Sequence, residues 1–331
     1  MRRTFIVLSS LFLFGCDWSK NEVDDKFSTY LNRIANVQGS DALAFNDNIN
    51  ITLPTKRELT FNIPTVTIGL LDSYELRKCD LFNLIAEKNS VLGKVQDQFR
   101  NFDYQVQLIY GIDNCLLNKN ISSTLKDQLT QLLETKINQL PLHFSNLIYT
   151  SEAMRSQLTA YQWVTNDNAS ISSELLQAFN QIDAAFQIRE QVSSTDRLNS
   201  VTPHQEVLEK DPKIGELSYS MLNASIKLNV ISQQLQLHDG TILCGQYRDT
   251  TKFKYLRNVF QQQFIDDIQP YLAKIDSAYM RLEPMLSFTQ ATHPDFAYPI
   301  KQHHSQFRQA IKDHVGYWKT LFQRCGALPN R

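Results

Sequence analysis

Glycine and proline are scarce, ten of each in 331 residues, and no low-complexity stretch occurs, so composition excludes a collagen-like repeat and a disordered chain. An excess of positive charge is also missing: 33 Lys and Arg stand against 34 Asp and Glu, for a formal net charge of −1. A chain without a basic surplus has little with which to neutralise phosphates, so nucleic acid is not an expected partner. After Phe14 no apolar run reaches the roughly 20 residues that a membrane-spanning helix needs. The fingerprints G-x-S-x-G, P-loop, GxGxxG, HExxH and CxxC are absent, which removes the strongest sequence arguments for a hydrolase, a nucleotide enzyme or a zinc site. The sequence implies no cofactor, no metal ligand and no catalytic residue.

What is present is a 42% hydrophobic content, enough to bury the core of one large domain or two medium ones. The amino terminus is the most informative part. Met1-Arg2-Arg3-Thr4 is positive and Phe5 to Phe14 is apolar, the pattern of an export signal over residues 1–15. It closes on Leu13-Phe14-Gly15-Cys16, which resembles the lipobox of bacterial lipoproteins, although Phe14 is bulkier than the usual spacer. The resemblance implies that Cys16 receives diacylglycerol and becomes the first mature residue. The alternative is an ordinary secretory signal with Cys16 a bystander. Each buried methylene adds ~0.8 kcal/mol of membrane affinity, so two or three acyl chains hold a protein firmly. The expected state is therefore anchored on the membrane and facing the periplasm, with residues 16–26 as a tether. Asp17 resembles the residue that retains lipoproteins in the inner membrane, and Trp18 beside it is not a usual reinforcement. Loss of Arg2 and Arg3 with the signal takes the formal charge from −1 to −3.

With Cys16 acylated, Cys79, Cys115, Cys244 and Cys325 remain, an even number in an oxidising compartment. The favoured pairing is Cys79 with Cys115 and Cys244 with Cys325, because each pair joins neighbouring helical segments and staples one half of the chain. In the loop-entropy account such closures contribute about 4 kcal/mol each. Four free buried thiols are the alternative.

Apolar residues recur at helical spacing along most of the chain. Phe253, Leu256, Phe260, Phe264, Ile268, Tyr271, Ile275, Leu282 and Leu286 draw one stripe that Pro270 should kink or split. Ile214, Leu217, Met221, Leu228, Ile231 and Leu235 draw another, stopped by Asp239-Gly240. Phe307, Ile311, Val315, Trp318 and Phe322 lead to Cys325. Further helices are expected near residues 23–36, 76–90, 97–118, 122–139, 142–160 and 172–192. Residues 50–70 alternate around Pro54 and Pro64 and read as a short ribbon or an extended crossing. The expected fold is all-α, a bundle of long antiparallel helices with that one extended segment. A soft boundary at Ser193 to Pro212 suggests halves at 27–195 and 196–331, with one continuous bundle as the alternative.

The run Cys79-Asp80-Leu81-Phe82-Asn83-Leu84-Ile85-Ala86-Glu87-Lys88-Asn89-Ser90-Val91-Leu92-Gly93-Lys94-Val95, followed by Tyr104 and Cys115, resembles a family of proteobacterial lipoproteins catalogued as domain of unknown function 3080. The resemblance covers nearly all of the mature chain and implies no activity. Lys88 stands where the family's Glu-Arg-Asn-Ser pattern has arginine, which keeps the charge but loses a bidentate donor. Glu87, Asn89 and Ser90 follow an apolar helical run, so this segment is the expected functional one. An inward Glu87 would need a partner and have a raised pKa. The structural alternative has Asn89 and Ser90 capping or breaking a helix and Glu87 paired with a nearby cation. His293, His303, His304 and His314 are expected as solvated surface residues.

Two functional readings follow. One is a membrane-tethered interaction or accessory protein with an envelope protein partner, which predicts a large apolar surface. The other is a binding protein or enzyme for a periplasmic small molecule or cell-wall fragment, which predicts a concave polar pocket, with Glu87 in its lining.

Overall fold

The computed structural model describes residues 22–65, 74–165, 169–189, 198–245, 247–290 and 292–327. The export signal, Cys16 and Asp17 lie outside the described residues. Among the described residues the fold is all-α, without a named strand. Its α-helices of more than four residues are α1 (Glu22–Gln38), α2 (Leu81–Asn89), α3 (Gln98–Leu116), α4 (Ser123–Thr150), α5 (Glu152–Leu158), α6 (Ser173–Ile188), α7 (Gln205–Lys210), α8 (Lys213–Leu237), α9 (Thr251–Val259), α10 (Gln269–Leu282) and α11 (Ile300–Arg324). No described helix is long and apolar enough to cross a membrane. Glu22 to Lys26, read as the end of the tether, are the first turns of α1.

Local chemistry sets several helix starts. Asp97, Ser122, Ser151 and Ser172 each accept a backbone N–H three residues on, from Arg100, Leu125, Met154 and Leu175. Separate helices were expected at 122–139 and 142–160, yet α4 runs through Pro141 between them. A proline inside a helix costs about 3 kcal/mol, whereas each large apolar side chain buried there returns about 1.5–3 kcal/mol. Leu140, Phe144, Leu147 and Ile148 are all fully buried around it, so burial wins. The break falls instead at Ser151, whose extended backbone and capping hydroxyl start α5. At Pro270 the expected interruption takes a specific form. Phe260–Ile268 winds as a π-helix, and the Gln269 N–H bonds to Phe264 O five residues back, just before Pro270 enters the first turn of α10.

α8 is the axis of the molecule, with α11 packed along it and α1, α5 and α10 on its other sides. It is buried nearly all round, including Lys213, Glu216, Ser218, Ser220, Asn223, Lys227, Ser232 and Gln234. Those polar groups have partners. Lys213 pairs with Asp211 and Glu216, Lys227 with Asp24, and Ser220 Oγ accepts the Val164 N–H. α3 and α4 form a hairpin beside this axis. The larger hydrophobic cluster draws residues from both sides of position 195, among them Phe27, Phe102, Phe144, Leu228 and Trp318. A smaller one gathers Leu81, Leu108, Ile112, Cys115, Leu125 and Leu129.

Residues 40–65 cross the bundle in extended form, making one isolated bridge between Ile51 and Ala160. Their remaining backbone groups need partners, and amide side chains supply several. Asn223 exchanges two hydrogen bonds with Ile49, 2.8 and 3.0 Å, as Asn146 does with Phe61, 2.8 and 2.9 Å. Gln234 Oε1 accepts the Leu43 N–H at 2.9 Å. Each side-chain amide thus takes the place of a neighbouring strand.

Candidate functional site

The segment singled out in the sequence ends α2. Ser90 leaves the helix with extended backbone, its N–H bonds to Glu87 O, and its hydroxyl accepts the Gly93 N–H at 3.0 Å. Asn89 and Ser90 are exposed and break the helix, and Glu87 is exposed rather than inward. The residue that turns inward is Lys88, which stands where the family pattern has arginine. Its ammonium donates to Gln96 Oε1 at 2.9 Å and Asn101 Oδ1 at 3.0 Å, and lies 5.2 Å from the Tyr104 ring centre. Burial lowers the Lys88 pKa and pushes the Tyr104 hydroxyl up to about 12.

Behind Lys88 stands one face of α4. Lys136, Gln139 and His143, spaced three and four residues apart, are all at most 9% exposed. Lys136 donates to Gln139 Oε1 at 3.3 Å, and Gln139 donates to Pro64 O at 3.1 Å. Among the described residues neither Lys88 nor Lys136 pairs with a carboxylate. Desolvation, and then the Lys88 charge, lower the Lys136 pKa. Desolvation and both lysines lower that of His143 to about 4, so its imidazole is neutral near pH 7.

The tautomer follows from the hydrogen bonds. Lys88 can only donate, so Asn101 turns its oxygen to Lys88 and its NH2 to His143 Nδ1, 3.2 Å away. His143 Nδ1 therefore accepts, and the proton sits on Nε2, which is buried and has no partner. Gln105, one turn from Asn101 on α3, also has a buried Oε1 without a donor. A cavity of about 220 Å³ beside Lys88 is lined by Glu87, Gln96, Arg100, Asp103 and Tyr104 among others. Asp103 is occupied: it accepts from the Ser200 and Thr202 hydroxyls and from the Val201 and Thr202 N–H groups.

A second concavity is larger. α10 and α11 flank α8, and Asp276 bridges them by accepting from Arg308 Nε and Nη2 at 2.9 and 2.7 Å and from His304 Nε2 at 2.7 Å. The Arg308 hydrogen bonds hold the Asp276 carboxyl below its usual range. Beside that bridge lies a groove of about 1040 Å³, walled by Leu272, Ala273, Ile311, Val315 and Gly316, with Arg308, Lys312 and Lys319 along it.

Three of the four carboxyl-terminal histidines, His303, His304 and His314, are not solvated surface groups. His303 is buried with Nδ1 2.7 Å from Ser218 Oγ, and His304 stacks on Tyr279 with ring centres 3.9 Å apart. His314 is fully buried: Nδ1 faces Ser232 Oγ at 3.0 Å, while Nε2 faces Tyr30 OH at 3.0 Å and Trp318 Nε1 at 3.1 Å. Burial lowers its pKa to about 3. The apolar stripe spacing hid these residues, because it does not say which polar side chains a neighbouring helix will meet. Among the described residues no group of three or more His, Cys, Asp or Glu gathers to hold a metal ion.

Cys79 with Cys115 and Cys244 with Cys325 lie at disulfide distance, with Cα separations of 5.1 and 5.0 Å. The first pair stitches the segment before α2 to the end of α3; the second joins the loop after α8 to the end of α11.

These features define an all-α helical protein with two stapling cysteine pairs, a buried cationic cluster and a long groove. A family model described as a protein of unknown function (DUF3080) matches residues 27–329, and the chain belongs to that family. Comparisons with curated proteins and with solved structures give no match.

Proposed function

We propose that this chain is a lipid-anchored protein of the bacterial envelope, facing the periplasm, that holds a helix of an envelope protein in the groove between α10 and α11. The anchor rests on Leu13-Phe14-Gly15-Cys16, and Asp17 favours the inner membrane. The groove carries the reading. Two turns of a helix ~10 Å across occupy about 850 Å³, which fits a groove of about 1040 Å³. Leu272, Ile311 and Val315 give it an apolar wall, and Ala273 and Gly316 let a backbone approach closely. Arg308, Lys312 and Lys319 outnumber Asp276 and Asp313 along it, so the occupant is an amphipathic helix with acidic flanks.

A photo-crosslinking residue at Val315, which is 40% exposed, tests this in cells producing the full lipidated chain, with Val91, 83% exposed on the turn after α2, as control. The expected result is a discrete adduct with one envelope protein from Val315 alone, lost in the Lys312→Glu, Lys319→Glu double variant. Identical adducts from both positions, or none from Val315, refute the groove reading. Failure of Cys16 to incorporate labelled acyl chains, with Cys16→Ser behaving like the parent, refutes the anchor. A binding protein for a small molecule or cell-wall fragment is the second reading, favoured by the polar cavity that Glu87 lines.

A further inference from the structure

We infer that the helix held in the α10–α11 groove is a juxtamembrane segment of an integral membrane protein, lying within roughly 20 residues of its span. The inference rests on the anchor and the groove proposed above, and adds which part of the partner is gripped.

The first turn of α1 is where an acylated Cys16 ties the folded body to the bilayer. Cys16 and Glu22 are six positions apart. An extended chain spans at most ~3.3–3.6 Å per residue, so that tether reaches about 20 Å. The turn it pulls on is fixed. Val23 and Phe27 are buried in the larger core. Asp24 accepts from Asn48 Nδ2 at 3.1 and 3.0 Å, from Trp163 Nε1 at 3.1 Å and from Lys227 Nζ at 2.9 Å. Donors from three other parts of the chain thus keep the start of α1 from fraying, and the tether sets the height of the body above the membrane.

The same turn lies beside one end of the groove. Lys26 Nζ holds Glu22 Oε1 at 3.0 Å and Asp267 Oδ1 at 3.1 Å. Asp267 is two residues before Gln269, which begins α10 and lines the groove with Leu272. One ammonium group therefore links the attachment point to the end of the groove wall. Glu22 and Asp25 are exposed there. Their charge is the opposite of the basic surface that beds a helix into lipid, so the body stands off the bilayer and leaves that end of the groove open.

Height and charge select the occupant. At 1.5 Å per helical residue, the reach of the tether plus the headgroup layer corresponds to roughly 20 residues beyond the hydrocarbon. A partner fixed in the same bilayer meets the groove at high effective concentration, because both are confined to that layer. Lys and Arg accumulate in the cytoplasmic flanks of membrane spans, which leaves the periplasmic flanks poor in cations. Such a flank matches a groove in which Arg308, Lys312 and Lys319 outnumber Asp276 and Asp313.

The test uses the full lipidated chain in cells, with the photo-crosslinking residue at Val315. The adduct is digested and the partner peptide identified; it should come from within roughly 20 residues of a membrane span. Two variants carry about 20 extra residues after Ser19, as EAAAK repeats in one and as Gly/Ser in the other. The helical insert lifts the body by ~30 Å, whereas the flexible one lets it come down. The rigid spacer should cut the adduct at least about fivefold and the flexible spacer should leave most of it. Both variants should melt with the parent, since the body is unchanged. A partner peptide from a soluble protein, from a second copy of this chain or from further along a membrane protein overturns the inference, as does an adduct that the rigid spacer leaves undiminished; the groove reading survives each of these. No adduct from Val315 in the parent, or one that the Lys312→Glu, Lys319→Glu double variant leaves intact, removes the groove reading and the inference with it.

Discussion

The same substitution, glycine to alanine, should change stability in opposite directions at two helical positions. Helix propensity alone favours alanine by about 1 kcal/mol in a helix interior, since glycine loses more backbone freedom on folding. At Gly316, on the exposed side of α11, an added Cβ meets nothing within 4 Å, so Gly316→Ala should stabilise by about 0.5–1 kcal/mol. At Gly215, in the first turn of α8, it would stand 2.8 Å from Thr159 C, 3.1 Å from Gln157 O and closer still to Thr159 O. These are backbone atoms at the end of α5, and they are not free to swing aside. Gln157 Nε2 donates to Leu208 O at 2.6 Å and also to Asp211 O, while its Oε1 accepts the Ile214 N–H at 3.4 Å. Relief of the clash requires α5 and α8 to part by several tenths of an ångström, which strains those bonds and opens the fully buried contacts of Leu158 and Ile214. Overpacking of this kind costs about 1–3 kcal/mol. It exceeds the propensity gain, so Gly215→Ala should destabilise by about 1–2 kcal/mol net. Urea unfolding of the two variants and the parent, analysed with a common slope, measures both changes. If Gly215→Ala is neutral or stabilising, the contact between α5 and α8 is looser than described and the argument fails.

Two further outcomes are expected. Peptides from the non-reduced protein should contain Cys79 linked to Cys115 and Cys244 linked to Cys325, and the double variant Cys79→Ser, Cys115→Ser should lose about 2–4 kcal/mol; a Cys79–Cys244 peptide would contradict the arrangement. Buried His314, with its pKa lowered from 6.5 to about 3, stays neutral in the folded chain while the unfolded chain takes up a proton. Its contribution is whole above pH 6.5 and is lost on acidification at up to about 1.4 kcal/mol per pH unit. Between pH 6.5 and 5.5, above the ordinary carboxylate range, His314→Gln should show a shallower fall in unfolding free energy than the parent. An unchanged slope would mean that His314 is already charged or exposed.

The long helices were legible because one stripe of apolar residues must face a core, and the stripes ending at Leu235 and Phe322 lie on the two helices, α8 and α11, that pack along each other. The cysteine pairing was legible for the same reason, since its members fall at the ends of neighbouring helical segments. Periodicity is blind to compensation between elements. It separated α4 at Pro141, where the buried residues on either side outweigh the proline, and it treated His303, His304 and His314 as solvated because their partners lie on other helices. In the candidate segment the structure follows the structural alternative for Asn89 and Ser90, which end the helix. Glu87, Asn89 and Ser90 are exposed, and the inward group is Lys88, whose partners at Gln96 and Asn101 come from beyond the helix end. A lysine within an otherwise apolar helical run was the signal available.

The extended crossing of residues 40–65 bears on the order in which the molecule assembles. Its fastenings at Ile49 and Phe61 are side chains 174 and 85 positions further along, so neither can close until those parts of the polypeptide exist and have coiled. Closing such distant loops is entropically late work. An N-terminal stretch of chain must therefore wait, uncommitted, until the helices that carry Asn146 and Asn223 have formed, and its docking comes late in folding rather than at its beginning.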